Sequence, residues 1–239
     1  MAENELSGDV LDFLQNTPTA YIADAMKRSD YRNFQMDGLN PLWDLDEDEG
    51  TIVGPATTMR FVPSIKPEGD MESPEHHTEI VEDAEPGSFV VIEGNGTGAL
   101  FGERATSQAK QEGVAGVICN TMVRDYNGLR EIGIPYWLPN GRDGITMHSY
   151  ARHQECVSKD DPVAINGTKV EAGDIIVADN DGAVVIPRDS LDEIVETARE
   201  ISEIEEDLQA WVDEGIEWDE IYDKLHHRKY LQDYDPNSN

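Results

Sequence analysis

The chain has 239 residues, 38% of them hydrophobic, enough for one large domain with a sizeable core. Its 50 Asp and Glu against 18 Lys and Arg give a formal net charge of -32, which repels nucleic acid and anionic membranes. No run of 18 apolar residues occurs, and the acidic start MAENELSGDVLDFLQ lacks the basic-then-apolar layout of a secretion signal, so a soluble, cytoplasmic protein is expected.

A charge of this size destabilises a compact state by self-repulsion unless ions screen it, and at about 1 M salt the Debye length falls to about 3 Å. Disorder would bring few apolar residues and no periodicity, whereas this sequence has apolar strands and amphipathic helices. A surface suited to concentrated salt is therefore expected, with an acidic face for a basic partner as the alternative. Cys119 and Cys156 stand alone, match no metal spacing and read as reduced, packed thiols.

Helical spacing predicts a first helix from Ser7 to about Asn16, carrying Val10, Leu11, Phe13 and Leu14, and a second from Thr19 through Met26. IVGPATTMRFVP at 52–63 reads as a bent strand pair, because Gly-Pro interrupts its β-branched run. Residues 75–84 look helical, 88–94 form a buried strand, 102–113 a helix stopped by Gly113, and 114–120 the next buried strand. That order is a βαβ unit, which implies a parallel pair with its loop at the carboxyl end, where α/β proteins place ligands.

Beyond Arg124 the apolar runs shorten and the chain turns β-rich, with a hairpin at Asn166-Gly167 and two strands in 172–187 joined at Asn180-Asp181-Gly182. A long helix follows from about Ser190, with Leu191, Ile194, Val195, Ala198, Ile201, Leu208, Trp211 and Val212 at helical spacing. Residues 190–239 hold 16 acids and 4 bases, so 189–239 reads as an acidic helical extension of a 1–188 domain. Its aromatic residues Trp211, Trp218, Tyr222 and Tyr230 suggest packing on a neighbouring subunit, with its own domain as the alternative.

The window at 94–129 carries the chemistry: Gly94, Gly96, Gly98 and Gly102 after a strand, Glu103 at a helix start, then Arg124-Asp125 after the next strand. Neighbouring strand ends in a βαβ unit lie side by side, so these residues can meet at one rim. Glycines let backbone N–H groups approach a carboxylate, and a helix N-terminus favours an anion. Arg124 offers a planar fork for an oxo-acid, and Asp125 a hard oxygen for Mg²⁺. The loop is neither a Walker loop nor a dinucleotide fingerprint. On local chemistry alone, Glu103 also fits a helix-start acid and Arg124-Asp125 a surface ion pair.

The window resembles the signature of the RraA-like family, which includes 4-hydroxy-4-methyl-2-oxoglutarate aldolases and oxaloacetate decarboxylases: a glycine loop, an acid, twenty residues, then Arg-Asp. NTPTAYIADAM at 16–26, IVGPATTMRF at 52–61 and AGDIIVADNDGAVVIP at 172–187 extend the likeness. Ala99 stands where the pattern has glycine, and Asn120-Thr121 where many members have Asp-Gly. The resemblance implies an α/β fold, a swivelling β/β/α domain, assembled as a homotrimer or homohexamer. It implies that Asp125 ligates Mg²⁺ or Mn²⁺, that Glu103 orients metal-bound water, and that Arg124 binds the 2-oxo oxygen. The N–H groups of Arg104 and Ala105, beside Gly102, would hold the substrate carboxylate. The implied function is a metal-dependent lyase acting on a small 2-oxo acid through a metal-stabilised pyruvate enolate, by retro-aldol cleavage or decarboxylation. The alternative is a non-catalytic regulator that binds an RNA-degrading enzyme. Asp24 is a further candidate near the site, while His76-His77 and His226-His227 read as surface residues and His148 and His153 as core or rim residues on strands.

Overall fold

In a computed structural model of the chain, residues 6–46, 50–64, 81, 84–94, 98–139, 141–148 and 154–227 are described. The helix expected at 75–84, His76, His77, His153, Gly96 and Tyr230 lie largely or wholly outside them. The chain opens with α1 (Gly8–Gln15), where the Ser7 hydroxyl accepts the Val10 N–H at 3.3 Å, and α2 (Thr19–Arg28). Asp179 caps α2 from across the fold, its Oδ2 accepting the Thr19 N–H at 2.9 Å and its Oδ1 the Thr19 hydroxyl at 2.7 Å.

Strands β1 (Leu39–Pro41), β2 (Ile52–Pro63) and β3 (Phe89–Gly94) follow. The β2 segment is one continuous 12-residue strand, not the expected bent pair. Its first residues pair antiparallel with a late strand up to Pro55, and from Ala56 onward it pairs parallel with β3. The N–H that Pro55 lacks thus falls at the change of partner. Gly54 is required nearby, because a Cβ there would lie 2.0 Å from the Gly87 carbonyl oxygen.

The expected βαβ unit is present. Between β3 and β5 (Gly116–Cys119) lie a short strand β4 (Ala99–Phe101) and helix α3 (Glu103–Gln111), and β3 and β5 pair parallel. A second unit runs through β6 (Met122–Val123), α4 (Tyr126–Ile132) and β7 (Tyr136–Pro139), with β7 parallel to β5. Along β3, Phe89 and Val91 face one core while Val90 and Ile92 face the other, so the parallel strands are buried on both faces.

The antiparallel part comprises β8 (Gln154–Lys159), the hairpin β9 (Val163–Ile165) and β10 (Thr168–Val170), and the pair β11 (Ile175–Asp179) and β12 (Gly182–Ile186). Asn166 and Gly167 both have positive φ, 49° and 93°, the geometry of the expected two-residue turn. The sheet runs β1-β7-β5-β3-β2-β11-β12, and its two ends, β1 and β12, touch, so it nearly closes into a barrel. The indole of Trp137 on β7 donates to the Asp179 carbonyl at the end of β11 at 2.8 Å.

The long helix α5 (Leu191–Asp213) joins the main core through Leu191, Ile194, Val195, Ala198 and Ile201, and packs on α2 of the same chain. The core is therefore continuous across the 188/189 boundary. Past Ile201 the stripe leaves that core. Ile204, Leu208 and Trp211 form a small separate cluster with Ile216, Ile221 and Leu225, the last two from α6 (Trp218–His227). Val212, Trp218 and Tyr222 are exposed.

Candidate active site

Two short strands absent from the sequence-based expectation bring the site together. Strand β4 pairs parallel with β6, Phe101 opposite Val123, and the Arg124 N–H donates to the Phe101 carbonyl at 3.0 Å. The next residues on each strand are Gly102-Glu103 and Arg124-Asp125, so the register alone sets these pairs side by side. Asn120, one of the departures from the family pattern, anchors this end: its Oδ1 accepts the Gly94 N–H at 2.7 Å and its Nδ2 donates to the Ala164 carbonyl at 3.3 Å.

Asp125 is the N-cap of α4 and has φ 66°, ψ 41°, the left-handed region, which costs a non-glycine residue about 1 to 2 kcal/mol. Its carboxylate is thereby turned toward α3. Oδ2 accepts the Glu103 N–H at 3.3 Å and the Arg124 Nε–H at 3.0 Å. Among the described residues Oδ1 has no hydrogen-bond partner, and neither do the two terminal nitrogens of Arg124. An acceptor oxygen and a two-pronged donor edge thus stand open side by side.

Two glycines make room for this arrangement. A Cβ at Gly102 would fall 2.5 Å from Asp125 Oδ2 and 2.9 Å from Arg124 Cγ. A Cβ at Gly128, inside α4, would fall 2.6 Å from Glu103 Oε2, so the Glu103 carboxylate lies directly over that residue. Glycine inside a helix costs about 1 kcal/mol relative to alanine, and the seat of Glu103 explains it here. Gly128 was missed from sequence; the signal available was a glycine inside a helical segment seven residues long.

Gly102 is the N-cap of α3 and has no side chain to cap it; Asp125 takes the Glu103 N–H, and among the described residues no side chain accepts from the Arg104 or Ala105 N–H. Behind them the Thr106 and Tyr136 hydroxyls share a buried hydrogen bond of 2.7 Å, and burial pushes the Tyr136 hydroxyl pKa well up. Both hydroxyls therefore stay neutral and fix α3 against β7. Beside Asp125, Tyr126 meets Trp43 edge-on at 6.4 Å and carries the Arg142 guanidinium 4.2 Å from its ring centroid. Neither Arg142 nor Trp43 was singled out from sequence, because nothing local ties them to the window.

Asp24 is exposed on α2, where it pairs with Lys27 at 3.3 Å, and His148 is exposed beside the rim, its carbonyl accepting the N–H of Ala99 at the start of β4. Cys119 is fully buried, its thiol pKa pushed up to about 12 by desolvation, so it stays protonated and inert. Among the described residues no three His, Cys, Asp or Glu side chains converge as a metal cage.

The RraA-like family, described as Aldolase/RraA, matches residues 19–185, most of the chain. The chain belongs to the RraA-like family. Its expected α/β class and RraA-like fold are those observed. Protein DlpA of Legionella pneumophila is 28% identical over 222 residues, 90% of this chain, although the match covers only 33% of DlpA. A Halalkalibacterium halodurans protein named "Putative 4-hydroxy-4-methyl-2-oxoglutarate aldolase" is 25% identical, over 80% of this chain and 82% of its own length. The crystal structure of Streptomyces coelicolor RraAS2, described as an unusual member of the RNase ES inhibitor RraA protein family, superposes with a TM-score of 0.71 at 26% identity. That superposition covers 84% of this chain and 96% of RraAS2. The RraA-like family thus includes relatives named as aldolases and relatives described as ribonuclease inhibitors. No helix among the described residues is long and apolar enough to cross a membrane.

Proposed function

We propose that this RraA-like chain is a divalent-metal-dependent lyase that cleaves a small 2-oxo acid, by retro-aldol cleavage or decarboxylation. The observation that carries it is the open pair at the rim: Asp125 Oδ1 without a partner beside the unused fork of Arg124. The donor set fits Mg²⁺ or Mn²⁺, since a magnesium-class ion binds through one or two carboxylates and keeps most of its waters. Asp125 would hold the ion directly and Glu103, over Gly128, through a water. A metal held there would supply Lewis acidity for the 2-oxo acid.

The chain's own groups do the rest. The Arg124 fork donates to the 2-oxo oxygen and stabilises the negative charge that develops on it as the carbon–carbon bond breaks. The Arg104 and Ala105 N–H groups, at the positive end of α3, hold the substrate carboxylate, which fixes the angle at which the 2-oxo group meets Arg124. The Glu103 carboxylate is placed to accept a proton from a water at the rim. Chemistry at an exposed rim needs a cover, and a neighbouring copy in a homotrimer or homohexamer would supply it.

A second reading, a non-catalytic regulator of an RNA-degrading enzyme, is favoured by the likeness to RraAS2. One experiment separates them: pyruvate release from 4-hydroxy-4-methyl-2-oxoglutarate and from oxaloacetate in about 2 M KCl, which screens the surface charge, with Mg²⁺ or EDTA. EDTA-sensitive turnover supports the lyase; no turnover of either acid by Mg²⁺-supplied protein favours the regulator.

A further inference from the structure

We infer that Arg142 selects a dicarboxylic 2-oxo acid over a monocarboxylic one, by receiving the second carboxylate; this rests on the 2-oxo-acid reading of the Arg124-Asp125 rim. The first observation is one of charge. The chain has almost three acids for every base, and the described arginines mostly have a carboxylate partner: Arg28 with Glu200, Arg32 with Asp30, Arg60 with Glu93, Arg199 with Asp9. Arg104, Arg130 and Arg142 have none among the described residues. All three belong to the segment that builds the rim. In so acidic a chain, arginines kept clear of carboxylates at one place are a binding surface for an anion from outside.

The second observation is geometric. Tyr126 directly follows Asp125, and its ring carries the Arg142 guanidinium at 4.2 Å, while Arg130 Nη1 reaches the same residue's hydroxyl at 3.5 Å. The backbone under Arg142 is fixed: Gly141–Gly144 forms a tight turn, Ile145 bridges Val123, and the Thr146 N–H donates to the Val123 carbonyl at 2.9 Å. The ring attracts the cation without a conventional acceptor, and the Arg142 guanidinium makes no hydrogen bond among the described residues, so its donors stay available for bidentate contact with a carboxylate. Of the three arginines, Arg142 is the one whose guanidinium lies over the ring of the residue that follows Asp125, with no hydrogen bond of its own among the described residues.

Binding of two unreactive acids, 2-oxoglutarate and 2-oxobutanoate, tests this by calorimetry in Mg²⁺ and about 2 M KCl, for wild type, Arg142→Gln, Arg142→Lys and Arg104→Gln. Losing a charge-assisted bidentate contact weakens binding about 10- to 100-fold, so Arg142→Gln should raise the Kd of 2-oxoglutarate by that factor and that of 2-oxobutanoate less than about 2-fold. Arg142→Lys, which keeps the charge without the fork, should fall between. Equal losses for both acids, no loss for either, or diacid selectivity lost in Arg104→Gln instead would each overturn the assignment to Arg142. Wild type that binds neither acid would overturn the 2-oxo-acid reading itself, and the assignment with it.

Discussion

The rim-forming segment and the C-terminal helices solve opposite problems. Residues 98–148 carry five acids, Glu103, Glu112, Asp125, Glu131 and Asp143, and five bases, Arg104, Lys110, Arg124, Arg130 and Arg142, so the whole charge of -32 lies outside them. Residues 190–239 hold 16 acids and 4 bases around one apolar stripe. The first region, which on the proposed reading attracts an anion, is locally neutral with open guanidinium groups. The second must stay hydrated, and its acids surround a stripe buried in the main core only as far as Ile201. A strongly acidic surface and the proposed anion site are compatible because the charge is distributed unevenly along the chain.

The largest expected effect breaks the rim outright. Asp125→Asn removes the charged acceptor while conserving shape, and should lower kcat for pyruvate release by at least about 10³-fold with an unchanged far-ultraviolet spectrum. Gly102→Ala sets a methyl where Asp125 Oδ2 and Arg124 Cγ now lie; displacing both should cost about 10²-fold in kcat/KM.

A pH experiment isolates one buried group of the rim-side core. The Cys119 thiol has its pKa raised from 9.0 to about 12, so the folded state holds that proton more tightly than the unfolded state. The resulting stability is fully present below pH 9 and is lost as pH rises toward 12. At pH 10 the loss is about 1 kcal/mol, and urea titrations of Cys119→Val should lack this increment of the alkaline decline.

Gly128→Ala sharpens the same region at smaller cost. Ordinary helix propensity predicts a gain of about 1 kcal/mol, whereas the Glu103 carboxylate over Gly128 predicts no gain in the thermal midpoint and reduced activity. The smallest local effect is one of salt. Reducing KCl from about 2 M to about 0.1 M lengthens the Debye length from roughly 2 Å to 10 Å, and hydrogen exchange should accelerate first in α5 beyond Ile201 and in α6, and last in β3 and β5. Uniform acceleration would show that charge repulsion acts on the fold as a whole.

Much of this was legible in advance. Buried runs at 88–94 and 114–120 with a helix between them announce a parallel βαβ unit, and the late hairpins announce themselves by Asn-Gly and Asn-Asp-Gly. The spacing of Glu103 from Arg124-Asp125 pointed to the rim. Strands β4 and β6 were not legible, because three and two residues are too few to show a period. The continuity of β2 was hidden by Pro55, whose effect depends on which strand lies beside it.

By itself, then, the sequence determined what short-range chemistry can write: periodicity, turn residues, charge, and which acid and arginine belong to one loop pair. The tertiary structure decided what depends on partners distant in the chain. It joined Gly102-Glu103 to Arg124-Asp125 through the β4–β6 register, seated Glu103 on Gly128, laid Arg142 over Tyr126, and drew the first turns of α5 onto α2. The physical reason is that a side chain's pattern fixes which face is apolar, while the surface covering that face, and the groups left open beside it, are set only when the chain closes on itself.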